Sequence, residues 1–599
     1  MFHKLLIANR GEIAVRVIRA CEELGIATVA VYSELDRDAL HVRRADEAFL
    51  LGPGPAAESY LNVERLLEAV RLSGAEAVHP GYGFLAENAA FAAELQRHEI
   101  TFVGPPASAI EAMGSKTRAR ELMAAAGVPI VPGTTAPVAN VKDARKVIAD
   151  SIGYPVAVKA AGGGGGKGFR VALSDGELED AFEGASREGE KFFSDPTVYL
   201  ERYLPDPRHV EVQVLADGHG NVIHLGERDC SVQRRHQKLI EEAPAPAVQP
   251  ALRERIGKIA TDAAAAVGYS GAGTIEGLLQ DGEYYFLEMN TRVQVEHCVT
   301  EMVTGIDIVK EGIRVAAGEP LSITQEQVVL RGHAIECRIN AEDASKNFAP
   351  APGRISSYRE PAGPGVRVDS GVGPGSEISP MYDPMVAKLI VWDADREQAT
   401  RRMLRALAEY EIGELKTLLP FHTALLASEQ WARAETCRDL VEDREWLKAL
   451  AFSASSTARE EEQEEKLEHE YTVEVSGKRF DVRVIGPPAM NGAAATPIAG
   501  RVPAGAGRGA TRKRGSRSSS GAGASGDTLV SPLQGTVLKV AVELGAVVEE
   551  GALICVIEAM KMENEITAHR SGTVTELPAA VGASVATGDT LAVIVAAAE

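Results

Sequence analysis

The last 70 residues of this 599-residue chain repeat themselves at a fixed offset of 37. Gly535-Thr536-Val537, Gly545-Ala546, Val548 and Gly551 recur as Gly572-Thr573-Val574, Gly582-Ala583, Val585 and Gly588, and Val556-Ile557 recurs as Val593-Ile594. Each half is rich in β-formers punctuated by turn glycines. The repeat therefore predicts two similar sheets related by a pseudo-twofold. Midway between Gly551 and Gly572 lies Met560-Lys561-Met562, which places one lysine on an expected hairpin tip, where an enzyme could modify it.

The remaining chain is too long for one hydrophobic core, so three or more domains are expected. Residues 1–115 alternate short apolar runs (Leu5–Ile7, Thr28–Tyr32, Ala77–His79) with helical patterns (Ile13–Leu24, Val63–Arg71), which predicts a parallel α/β sheet. Residues 116–330 begin as a helix and continue as strands with Gly-rich turns. Residues 331–447 mix strands at Ala334–Ile339 and Met385–Trp392 with a helix near Glu397–Glu409.

Residues 459–470 hold seven acidic side chains and read as a helix or a solvated linker, and 471–485 as a hairpin turning at Ser476-Gly477. Residues 486–527, rich in Ala, Gly, Pro and Ser with six basic residues between Arg501 and Arg517, lack the apolar content to fold and read as a tether.

A net charge of −22 disfavours nucleic-acid or anionic-membrane binding. The apolar runs fall short of the roughly 18–20 residues that cross a bilayer, and the N-terminus reads as a first strand rather than a signal peptide. Six scattered cysteines without a C-x-x-C pair indicate a reducing, cytoplasmic setting and no structural zinc.

Three stretches carry chemistry. Lys159 precedes five consecutive glycines, Gly162–Gly166. The spacing fails the P-loop pattern, and no helix follows, which excludes a dinucleotide fingerprint. A strand–glycine loop–strand remains, able to fold over phosphates with Lys159 adding charge.

In the second stretch, Glu288 to Glu296 read as a strand, Glu288, Asn290, Arg292, Gln294 and Glu296 share one face. A three-residue turn centred on Gly282 would set Glu276 opposite Glu288. Two carboxylates so close repel unless a cation intervenes, and Glu276, Glu288 and Asn290 are hard oxygen donors suited to Mg²⁺. A metal, a phosphate-covering loop and a lysine make the set that phosphoryl transfer requires. The third stretch, Gln233 to Glu242, is either a solvated basic turn or a site gathering bicarbonate and phosphate. Cys230 beside it reads as a packed thiol.

Residues 1–447 closely resemble biotin carboxylase, an ATP-grasp enzyme, through LLIANRGEIAVR (5–16), HPGYGFLAEN (79–88), MGSK (113–116), VKAAGGGGGKG (158–168), ERDCSVQRRHQK (227–238), EMNTRVQVEH (288–297) and GHAIECRINAED (332–343). Residues 528–597 resemble a biotinyl carrier domain through Ala559-Met560-Lys561-Met562. The resemblance implies an α/β and α+β architecture. Its parts are an N-terminal Rossmann-like domain (1–115), an ATP-grasp domain with a glycine-loop lid (116–330) and a mixed C-terminal domain (331–447). An acidic linker with a short hairpin (448–485) and the tether (486–527) follow, then an all-β, lipoyl-like flattened barrel (528–597).

The resemblance also implies roles. Lys116, Lys159, Gly163, Gly164, Gly165 and Gly166 would bind ATP phosphates, and Glu201, Leu204, His209, Gln233 and His236 would surround adenine and ribose. Glu276, Glu288 and Asn290 would hold Mg²⁺ or Mn²⁺. Lys238, Arg292, Gln294 and Val295 would bind bicarbonate, with Glu296 its base and Arg338 stabilising the biotin enolate. Biotin would be covalent on Lys561, attached by a biotin protein ligase. Bicarbonate would attack the ATP γ-phosphate to give carboxyphosphate, whose CO₂ passes to biotin under a closed lid that excludes water.

No carboxyltransferase domain is visible, so the chain should do half a reaction as the α subunit of an acetyl/propionyl-CoA carboxylase, in a hetero-oligomer with a carboxyltransferase β subunit. The partner contact is expected within 459–485. A longer acyl-CoA or pyruvate as acceptor stays open. So do a carboxylate–amine ligase, against which Arg338 and the carrier domain speak, and an inactive ATP-grasp scaffold, against which intact Lys116, Lys159, Glu276, Glu288 and Arg292 speak. Lipoyl lysines usually follow Asp, whereas methionines flank Lys561.

Overall fold

The computed structural model describes residues 1–457 except 135, 161–167, 194 and 236; 467–486 except 476–477; and 527–595 except 532–534, 560–561 and 586–587. Strands β1 (Lys4–Ile7), β2 (Ala27–Ser33), β3 (Glu47–Gly52), β4 (Ala77–His79) and β5 (Thr101–Phe102) form a parallel sheet in the order β3-β2-β1-β4-β5. Leu5, Leu6 and Ile7 are all fully buried, which is why β1 reads as an unbroken apolar run: both faces of the sheet are covered. Helix α1 (Gly11–Leu24) buries Ile13, Val17, Ile18 and Cys21 and stops at Gly25, whose φ of 71° closes the end with a left-handed cap.

A small antiparallel sheet follows, order β7-β6-β8, of β6 (Val156–Ala160), β7 (Phe169–Ala172) and β8 (Val198–Arg202). Lys159 pairs with Phe169, so the glycine run connects adjacent strands; the run itself, 161–167, lies outside the described residues.

The body of the molecule is an eight-stranded antiparallel sheet. Its strands are β9 (Arg208–Ala216), β10 (Val222–Arg234), β11 (Gln237–Ala243), β12 (Gly271–Gln280), β13 (Glu283–Asn290), β14 (His333–Asn340), β15 (Val366–Ser370) and β16 (Met385–Asp393), in the order β13-β12-β9-β10-β11-β14-β16-β15. Helix α2 (Pro250–Ala266) packs Ile256, Ala260 and Ala264 against Val212, Val214 and Ile275 of this sheet. Helix α3 (His297–Thr304) begins directly behind the segment that follows β13.

Beyond the body lies a hairpin of β17 (Leu467–Val475) and β18 (Lys478–Gly486), four residues longer at its start than the sequence reading, because the alternation of Leu467, His469 and Tyr471 carries the strand backwards into the acidic stretch. The C-terminal repeat is realised as two four-stranded sheets. One takes the order β19-β26-β24-β21, from β19 (Thr528–Val530), β26 (Thr590–Val595), β24 (Gly572–Glu576) and β21 (Val547–Val548). The other takes the order β23-β22-β20-β25, from β23 (Met562–Thr567), β22 (Leu553–Ala559), β20 (Gly535–Val540) and β25 (Ser584–Val585). Adding 37 to each strand of the first half gives its mate in the second, and the turn glycines agree: Gly545 and Gly582 sit at φ 90° and 84°, Gly551 and Gly588 at 86° and 94°. No helix among the described residues is long and apolar enough to cross a membrane, and all six cysteines are buried and unpaired.

Candidate active site

The β12–β13 hairpin builds the floor. Its turn is Asp281-Gly282, with φ of 54° and 79°, the left-handed pair that a two-residue hairpin turn needs. The turn therefore has two residues rather than the three expected. Gln280 pairs with Glu283, and a bulge at Leu287 then adds one residue to β13, so that Glu276 still faces Glu288 and Thr274 faces Asn290. The two errors cancel at the position that matters. Gly277 is needed beside the bulge, since a Cβ there would meet the Tyr284 ring at 2.2 Å.

The second expectation also changes. The strand ends at Asn290 and does not run to Glu296. Arg292, Gln294 and Glu296 reach the same cleft from irregular backbone between β13 and α3, with Val293 packed in the opposite direction.

Three cations, Lys238, Arg338 and Arg228, and their carboxylates fix the interior. Lys238 Nζ lies 2.5 Å from Glu211 Oε2, 2.8 Å from Glu276 Oε1 and 2.7 Å from Glu296 Oε1. Burial alone would lower its pKa, but Glu211, Glu296 and Glu276 hold it well above the usual value. Glu296 completes its shell with Arg338 Nη2 at 2.9 Å. Burial would raise the Glu296 carboxyl, and Lys238, Arg338 and Arg228 override it, keeping it well below the ordinary range. Arg338 also binds Glu241 through Nε at 2.6 Å, and burial pushes the Glu241 carboxyl up to about 7 against that pull.

Arg228, fully buried, donates to Glu211, Gln213, Thr274, Thr300 and Gln294 at 2.6 to 3.1 Å. It accepts nothing itself, so Gln294 must present its oxygen to Arg228, and its amide nitrogen then donates to Glu276 at 2.7 Å.

The rim is more open. Arg292 is held by Glu87 from the loop after β4, at 2.9 Å through Nε, and by the Asn290 side-chain oxygen at 3.0 Å. Lys159 pairs with Glu201, which also receives Arg120 at 2.7 Å. His209 Nε2 lies 3.0 Å from Glu276.

One cleft of about 970 Å³ is lined by Lys159, Glu201, Leu204, His209, Gln233, Lys238, Glu276, Glu288, Asn290, Arg292, Gln294, Val295, Glu296 and Arg338. Every described candidate is thus brought together, except that nothing is described of the Lys116 side chain. Gly163, Gly164, Gly165, Gly166, His236 and Lys561 lie outside the described residues. Arg120, Glu211, Arg228, Glu241 and Glu87 were missed. Arg228 and Glu87 stand inside segments already singled out, and Glu211 interrupts an apolar strand, which is the signal a buried ion pair leaves in sequence.

The donor set fits a divalent cation with a nucleotide. Glu276, Glu288 and Asn290 offer hard oxygens, while Lys159, Lys238 and Arg292 lie in the same cleft to balance phosphate charge.

Comparison with known proteins agrees. Residues 1–110 match the family described as "Biotin carboxylase, N-terminal domain", residues 115–324 "Carbamoyl-phosphate synthase L chain, ATP binding domain", residues 336–443 "Biotin carboxylase C-terminal domain", and residues 527–594 "Biotin-requiring enzyme". The biotin-dependent acyl-coenzyme A carboxylase alpha3 subunit of Mycobacterium leprae is 47% identical over 596 residues, 99% of this chain and 98% of the relative. Biotin carboxylase 1 of Bacillus subtilis is 57% identical over 73% of this chain and 97% of its own. Among solved structures, the biotin carboxylase domain dimer of Hydrogenobacter thermophilus 2-oxoglutarate carboxylase, in complex with MgADP, ADP and bicarbonate, superposes with a TM-score of 0.69 at 49% identity, covering 75% of this chain and 99% of that one.

Proposed function

Because the chain belongs to the biotin carboxylases that carry their own biotin-requiring domain, we propose a division of labour for its cleft in the ATP-dependent carboxylation of biotin, with an acyl-CoA as the final acceptor. The observation that carries the reading is Glu296, ionised between Lys238 and Arg338 in the cleft that holds the opposed Glu276 and Glu288.

Lys159, with Lys116 and Gly163 to Gly166, would bind the nucleotide phosphates; Glu201, Leu204, His209, Gln233 and His236 would surround the base and ribose. Glu276, Glu288 and Asn290 would hold Mg²⁺ or Mn²⁺, which would supply charge neutralisation for phosphoryl transfer. Lys238, Arg292, Gln294 and Val295 bind bicarbonate. Glu296 takes its proton, and the bicarbonate oxygen then attacks the ATP γ-phosphorus, giving carboxyphosphate and ADP. Lys238 and Arg338 keep Glu296 ionised but also weaken it as a base. Bicarbonate that draws Lys238 towards itself restores its basicity at the moment of attack. Lys561, once biotinylated, would bring a ureido nitrogen to the cleft as carboxyl acceptor; carboxyphosphate would release CO₂ and phosphate, the phosphate taking the ureido proton, and Arg338 would offer its guanidinium to the charge that develops on the ring.

The acyl-CoA acceptor is supported by the M. leprae relative, which spans the whole chain. A carboxyltransferase β subunit would complete the reaction, docking within 459–485, and a biotin protein ligase would load Lys561.

The test is incorporation of ¹⁴C from bicarbonate into the purified, biotinylated chain with MgATP. Label should appear on the chain alone and pass to an acyl-CoA only when a carboxyltransferase subunit is added. No label on a chain whose Lys561 carries biotin would overturn the reading. Transfer to pyruvate instead would change the acceptor.

A further inference from the structure

Resting on the reading that residues 292 to 296 bind bicarbonate, we propose that Lys388 is a positioning residue for bicarbonate capture: its ammonium group holds the Val295 carbonyl and so sets the backbone that carries Gln294 and Glu296.

Lys388 sits in the middle of β16 and is completely buried. A lysine is placed there at a steep desolvation cost unless its three donors all find acceptors. Two of them do: Nζ donates to the Val295 carbonyl at 2.8 Å and to Cys298 Sγ at 3.1 Å, while Glu12 Oε2, 3.4 Å away, offers opposite charge without a hydrogen bond. Asp369 Oδ2 follows at 3.8 Å. A core lysine with carboxylates for neighbours could be satisfied by them alone. Here the shortest contact goes to a backbone oxygen of the cleft.

That oxygen belongs to backbone with no ladder of its own, since β13 ends at Asn290 and α3 begins at His297. Its peptide groups need partners from elsewhere. Arg292 Nη1 donates to the Val293 carbonyl at 3.2 Å, and His297 Nδ1 lies 2.7 Å from the Gln294 carbonyl. Both are local contacts that move with the segment. Lys388 reaches the Val295 carbonyl from a strand of the main sheet, through a charge-assisted bond.

The rung of the sheet matters as well. Lys388 and Arg338 are directly paired across β14 and β16. Arg338 reaches the Glu296 side chain at 2.9 Å and Lys388 the carbonyl of the residue before it, so one rung fixes two consecutive residues. Loosening either contact would let the segment shift relative to Lys238 and Arg292, and a misplacement near 1 Å is costly in a site that must orient its substrate.

The experiment uses the full, biotinylated chain and compares Lys388→Met, the double variant Lys388→Met/Glu12→Gln and Lys388→Arg with wild type. The double variant removes the carboxylate that the single change would leave facing an uncharged side chain. Bicarbonate KM should rise by roughly 10-fold or more in the Met variants, with ATP KM within about twofold, and Lys388→Arg should restore most of the difference. A purely structural role would lower the melting temperature and leave bicarbonate KM unchanged in the folded fraction, and that result would overturn the proposal. Arg292→Ala serves as the reference. If it too leaves bicarbonate KM unchanged, the reading of the segment fails; if it raises KM while the Lys388 variants do not, only the role of Lys388 fails.

Discussion

Glu276 and Glu288 are paired directly across the β12–β13 hairpin, and the Glu276 oxygens face Lys238, Asn290, Gln294 and His209. Its carboxyl is driven below the ordinary range: burial would raise it, but Lys238 and His209 outweigh burial. Glu276 is thus held as an anion before any cation arrives.

Glu288→Gln keeps the shape of the hairpin while removing one anionic donor. Mg²⁺ needed for half-maximal ATP turnover should rise at least about 10-fold. An unchanged Mg²⁺ titration would remove Glu288 from the cation site.

Arg292→Ala and Glu296→Ala should each lower ¹⁴C incorporation by roughly 100-fold or more, the scale of losing a positioned acid–base or orienting group. Neither residue is in the repeat that carries Lys561, so biotin should still load, adding ~226 Da to the chain by mass spectrometry. Near-normal incorporation in either variant would refute its assignment.

Arg228→Met should destabilise the carboxylase portion by about 3 kcal/mol, because five buried acceptors lose their donor and Glu211 is left with Lys238 and, at 4.0 Å, His209. Chemical denaturation of the variant measures this directly. A loss below about 1 kcal/mol would mean that water reaches those groups.

Glu301 lies between Arg16 and Arg367, at 2.9 and 2.7 Å. Burial would raise its carboxyl, yet Arg16, His297 and Arg367 hold it down to about 2. Unfolded, it titrates near ~4.3. The group therefore contributes stability above that value, and the contribution drains away as pH falls towards 2. Glu301→Gln should cost roughly 3 kcal/mol at pH 7 and far less near pH 2, and it should fold, since Arg16 retains Asp307 and Arg367 retains Asp369. Urea midpoints for both proteins at the two pH values decide it.

The parts of this architecture that were legible in sequence are those governed by short-range rules. The parallel sheet announced itself through apolar runs such as Leu5–Ile7, and the carrier through its glycines. The opposition of Glu276 and Glu288 followed from a turn signal. The turn type and the bulge at Leu287 did not, because two conformations of different loop length share one register at Glu276. Contacts that join strands far apart in the chain left almost no local trace. Arg228 meets Gln294 at a sequence separation of 66, Arg292 meets Glu87 at 205, and Lys388 meets Val295 at 93. Such pairs are set by strand order in the eight-stranded sheet, which alternation within one strand does not encode.

The internal symmetry of the carrier has its own consequence. Its two sheets exchange under the 37-residue offset, β22 becoming β26 and β19 becoming β23. The offset carries Lys561 onto Ala598, so the second half repeats the glycines of the first without its lysine. The lysine thus stands in one half of the repeat alone, so loading should saturate at a single prosthetic group per polypeptide, however much modifying enzyme is supplied.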